Sequence, residues 1–171
     1  AASFANKEIR SMTFWLRTSE VDASLNLVDY ATIFDAVENG HDTVSKRVKL
    51  TMRNNTGGDN DRLAIVDTEA NANIARITIN GVNKTFTHTQ GGSGYQLAPA
   101  VTKAELSGKW NHFYVEFDPT NVIRINQISW LSEHAGSVRS KPLVGAYLDE
   151  VHYFDKALTD SEVAAMKTFR T

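Results

Sequence analysis

Apolar and polar residues alternate with a period of two along much of the chain. In "SMTFWLRT" (11–18), Met12, Phe14 and Leu16 fall on one side and Thr13, Trp15 and Arg17 on the other. "RVKLTMRN" (47–54) sets Val48, Leu50 and Met52 against Lys49, Thr51 and Arg53. Successive side chains of a strand point to opposite faces, so this pattern predicts strands with one buried face. "ATIF" (31–34) and "RLAIVD" (62–67) are further apolar runs, and "GGDND" (57–61) reads as a turn. "ARITINGVNKTFTHT" (75–89) predicts a hairpin closed at Asn80-Gly81, because a type I′ turn needs positive φ at both central residues. "QGGSGYQLAPA" (90–100) reads as a loop, and "KWNHFYVEFDPTNVIRINQISW" (109–130) as two strands joined at residues 118–121. "LSEHAGSVRSKP" (131–142) is a polar connection. "YLDEVHYFDKALTDSEVAAM" (147–166) supplies the last strand and one helix, opened by the capping-box pair Thr159 and Glu162. At about two turns that helix cannot stand alone and must dock on something.

Roughly nine to twelve short strands and one short C-terminal helix predict an all-β antiparallel sandwich of the jelly-roll kind. Residues 1–171 suit a single domain, with no repeat or linker. The expected core is Phe14, Leu16, Val48, Leu50, Met52, Phe113, Val115, Phe117, Ile123 and Ile125.

Composition narrows the function classes. The net charge is -2, so a concentrated basic face for nucleic acid or an anionic membrane is not expected. No run of 18 apolar residues predicts a membrane span. With no cysteine, thiol catalysis and zinc–thiolate sites are excluded. The start, "AASFANKEIR", reads as a processed or excised end.

Opposite the expected core lie Trp15, Arg17, Arg53, His112 and Tyr114, a mixture of aromatic rings, guanidiniums and an imidazole. Rings stack on the apolar faces of a sugar while planar polar groups satisfy its hydroxyls, so this face suits glycan recognition. The alternative is an ordinary wet sheet face. Tyr95 and Trp130, each beside a polar or glycine-rich loop, are either platforms for a sugar or a protein partner, or pins for their own loops. Hydrolysis of a polysaccharide needs two carboxylates about 5–10 Å apart. Glu116 and Asp118 have the spacing, but Asp118 sits at a Pro119 turn; Asp149 and Glu150 are adjacent and would point to opposite faces. The five histidines show no ligand spacing. The chain therefore reads as non-catalytic, with a polysaccharide hydrolase or lyase as the alternative. The oxygen-rich segments "FDAVENGHD" (34–42) and "GGDNDR" (57–62) suit a hard cation, which makes calcium the expected cofactor if there is one.

Three segments, in order, resemble the laminin-G-like, concanavalin A-like sandwich family. They are "SMTFWLRTSE", "LSGKWNHFYVEFDPT" and "YLDEVHYFDKALTDSEVAAM", about a third of the chain. The resemblance implies two curved antiparallel sheets and a non-catalytic module of a larger extracellular or cell-surface protein, binding glycans or proteins. It also implies a rim calcium site, for which Asp42 and nearby Asp35 are the matching positions. The sequence departs from the family where "INQISWLSEHAG" replaces its usual tyrosine-aspartate-glycine hairpin, and where "AASFANK" barely supplies its first strand.

Overall fold

The computed structural model describes residues 2–3, 8–18, 31–37, 47–53, 62–67, 74–88, 94–119, 125, 127–131 and 145–168. These form eleven strands: β1 (Ala2–Ser3), β2 (Ser11–Thr18), β3 (Ala31–Val37), β4 (Arg47–Arg53), β5 (Arg62–Asp67), β6 (Ile74–Ile79), β7 (Val82–His88), β8 (Gly94–Ala98), β9 (Trp110–Phe117), β10 (Gln127–Trp130) and β11 (Ala146–Phe154). Two helices accompany them, α1 (Lys103–Leu106) and α2 (Asp160–Lys167).

The strands make two antiparallel sheets. The first has the order β1-β10-β3-β4-β5-β8-β7 and the second β7-β6-β9-β2-β11. Strand β7 belongs to both. Residues 82–84 pair with β6 in the second sheet, and residues 85–88 pair with β8 in the first. The hydrogen-bond ladder therefore runs without a break around this corner, which leaves neither sheet an open edge there.

The core lies between the sheets. Phe14, Leu16 and Phe113 from the second sheet meet Phe34, Val48, Leu50 and Met52 from the first, all buried. Phe14 stacks on Phe113 with centroids 4.9 Å apart and meets Phe34 edge-on at 6.4 Å. Every expected core position within the described residues is buried; Ile123 lies outside them. The Asn80-Gly81 turn has φ of 54° and 82°, as a type I′ hairpin requires. Asn80 also clasps β9: its side chain accepts from the His112 N–H (2.9 Å) and donates to Asn111 (2.9 Å).

Several expectations need correction. Part of the expected loop at 90–100 is strand β8, whose backbone pairs with both β5 and β7. A second helix exists: Thr102 and Glu105 form the same capping box as Thr159 and Glu162. Of the second strand expected before Trp130, the described part is β10, and residues 120–124 and 126 lie outside the described set. Strand β11 is not regular. Asp149 pairs with Trp15 and His152 with Thr13, so Glu150 and Val151 together oppose Phe14 in a bulge. Glu150 takes φ 48° there, and its N–H donates to the Asp149 carboxylate at 2.8 Å. The simple alternation that would send these two carboxylates to opposite faces does not hold.

Candidate functional site

The outer face of the second sheet is the face expected to carry ligand-binding side chains. Register places its residues in rows across β9, β2 and β11. One row is Tyr114, Thr13 and His152, the next His112, Trp15 and Asp149, and the last Trp110, Arg17 and Tyr147. The segment after β11 folds back over the first of these. Ser11 Oγ donates to the Lys156 carbonyl (2.6 Å), and the Leu158 N–H donates to Tyr114 Oη (3.0 Å). Tyr114 Oη in turn donates to Glu116 (2.9 Å). Leu158, Val163 and Phe154 pack on the Tyr114 ring as a second small apolar cluster. Arg76 on β6 lies over the other part of that ring, 5.4 Å from its centroid, and pairs with Asp160 in the first turn of α2.

Three expected ligand contacts are therefore sealed. Tyr114 is fully buried, His112 is 1% exposed and Trp15 7% exposed. The indole of Trp15 lies against the His112 imidazole, centroids 5.1 Å apart. Tyr114 lies under the C-terminal segment and His112 beside α2, while Trp15 packs against His112. Burial holds the Tyr114 hydroxyl proton on, raising its pKa to about 12, and drives the His112 pKa down to about 4, with the Lys167 charge adding to the effect. Glu116, half of the carboxylate pair considered for hydrolysis, is engaged as acceptor of the Tyr114 hydroxyl.

Trp130 also turns inward. Its ring meets Phe14 (4.8 Å) and Phe34 (5.9 Å), and its indole N–H donates to Tyr153 Oη at 2.7 Å. It pins one end of the core. Asp35 is fully buried in the middle of β3, in register with Lys49 on one side and Ser129 on the other. Cross-strand pairing sets the Lys49 position beside it. Asp42 lies outside the described residues, and among those residues no group of three or more histidines and carboxylates could hold a metal ion. Arg53 and Tyr95 are placed by their backbones only, in β4 opposite Arg62 and in β8 opposite Ile65 and His88.

Two further features of this face are a row of side chains and a cleft. The last row, Trp110–Arg17–Tyr147, is open at Arg17 and Tyr147. Tyr147 is 59% exposed, Arg17 is exposed and Trp110 half-buried. The three share one face because they pair directly across β9, β2 and β11, with about 4.5–5.5 Å between neighbouring Cβ atoms. Sequence reading named Arg17 but neither Tyr147 nor Trp110. Register, which pairs both with Arg17, was the missing signal. The second feature is a cleft of about 280 Å³ between α2 and the β6–β7 hairpin, lined by Arg76, Thr78, Asn83, His112, Asp160 and Lys167 among others. Lys167 Nζ donates to the Asn80 carbonyl (2.9 Å) and Arg76 Nε to Asn83 (3.1 Å). Comparison with protein-family models, with curated proteins and with solved structures gives no match for this chain.

Proposed function

We propose that this chain is a non-catalytic glycan-binding module of the laminin-G-like, concanavalin A-like kind, part of a larger extracellular or cell-surface protein. The fold supports the reading. The three segments that carry the resemblance are β2, β9 and β11 with α2; the strands lie side by side in one sheet, and the C-terminal segment packs on its outer face. The observation that carries the ligand class is the open row Trp110–Arg17–Tyr147. Two aromatic rings flank a guanidinium there, so a sugar ring lying across the row has apolar surface to stack on and a fan of N–H donors for its hydroxyls. The three residues sit on paired strands, so their backbones are already placed for a ligand, which lowers the entropic cost of binding. A single row of this size binds weakly, and copies in a larger assembly would add avidity.

The test is a glycan array probed with the wild-type chain, Arg17→Ala and Tyr147→Ala, each with and without a chelator. Binding by the wild type that falls about tenfold or more in both variants is the expected result, consistent with hot-spot losses of about 1.4 kcal/mol or more. Loss of binding on chelation would assign calcium to the site. No glycan bound, together with a stable protein complex that needs Tyr147, would replace this reading with an interaction module.

A further inference from the structure

The cleft beneath α2 lies apart from the row Trp110–Arg17–Tyr147. Its composition is unusual in one respect. Thr78 and His112 both line it and are both about 1% exposed, and each holds a buried polar atom, Thr78 Oγ1 and His112 Nδ1, with no hydrogen-bond partner among the described residues. A buried polar atom left unpaired costs free energy that a bound partner recovers. The same cleft brings two cations close to these atoms. Arg76 uses Nε and one terminal nitrogen on Asn83 and Asp160, and Lys167 rests on the neutral Asn80 carbonyl. Burial keeps the imidazole uncharged near neutral pH, so it can meet a hydroxyl as donor or acceptor.

We infer that this cleft binds a small hydroxylated carboxylate, of the size and chemistry of a sugar acid. The carboxylate takes Lys167 from the Asn80 carbonyl and faces Arg76, and the hydroxyls satisfy Thr78 Oγ1 and His112 Nδ1. A carboxylate is a stronger partner for an ammonium than a neutral carbonyl is. Lys167 is therefore the side chain that moves to admit the ligand. A volume of about 280 Å³ matches one sugar unit and excludes a folded polymer. The site is separate from the open row, and the ligand is either a free sugar acid or the acidic end of a glycan chain.

The experiment titrates the isotope-labelled full chain with D-glucuronate, D-glucose and acetate and follows amide shifts. Glucuronate should shift Thr78, His112 and Lys167, with glucose and acetate each about tenfold weaker, since each lacks half of the contacts. An acidic disaccharide bound more tightly than glucuronate assigns the glycan end, and an equal or weaker one assigns the free acid. Thr78→Val removes the unpaired hydroxyl without changing its shape much. It should leave the melting temperature equal or higher and weaken glucuronate about tenfold. Lys167→Gln should weaken glucuronate and leave glucose unchanged. Acetate binding as well as glucuronate, Thr78→Val binding like wild type, or Thr78→Val melting clearly lower would each overturn the inference. Shifts confined to Trp110, Arg17 and Tyr147 would also overturn it while leaving the glycan reading of the open row intact.

Discussion

Glu150 holds a left-handed backbone conformation that a side chain rarely adopts, at the one place where β11 carries an extra residue. The strain is local, because a Cβ crowds the following carbonyl at positive φ. Glu150→Gly should therefore raise stability by up to about 1 kcal/mol in a urea titration; a loss of more than that would mean the glutamate side chain holds the bulge. His112 makes a pH prediction. The unfolded chain protonates it near 6.5, the folded chain only near about 4. The unfolded state thus binds more protons in between, so His112 burial contributes fully above about pH 6.5 and its contribution is lost as pH falls toward 4. Glu162, held down to about 2 by its bonds to Lys156 and Thr159, loses its contribution only below its ordinary 4.5. Melting temperature should fall between pH 6.5 and 4.5 in the wild type and stay flatter in His112→Gln. A flat wild-type curve across that window would show that His112 is not buried as an uncharged ring.

At the scale of elements, Tyr114 is the latch between sheet and C-terminal segment. Its hydroxyl joins Glu116 to the Leu158 N–H, and Leu158 is buried. Tyr114→Phe leaves that N–H unpaired, which should cost about 1–3 kcal/mol and speed hydrogen exchange at Leu158 and along α2, while β2 and β9 stay protected. Uniform loss of protection would place the tyrosine in the main core instead. The elements themselves were largely legible. Alternation located β2, β4 and β9, and Asn80-Gly81 located the hairpin, because side-chain period and turn sterics are local properties. What escaped was set by neighbours. Strand β8, in "GGSGYQLAPA", looks like a loop because glycines lead into it and Pro99 follows it, yet β5 and β7 on either side supply its backbone partners. The bulge at Glu150 has no glycine to announce it. Helix α1 was legible and overlooked: "TKAE" at 102–105 has the same spacing as "TDSE" at 159–162.

For the whole molecule, the main lesson concerns which surface is free. Period two marks two faces of a strand but not what covers the second one. The helix predicted to dock somewhere docks on the very face that carried most of the candidate ligand contacts, so His112 and Tyr114 lie beneath it. Only cross-strand register reveals that Arg17 stands between exposed Tyr147 and half-buried Trp110. The most direct measurement is a chemical-shift map of the labelled chain with the best neutral glycan from the array. Glycan binding through the open row predicts that the largest shifts cluster at Trp110, Arg17 and Tyr147, with Trp15 and Tyr114 little changed. Shifts that centre on the first sheet, with those three residues unmoved, would contradict it.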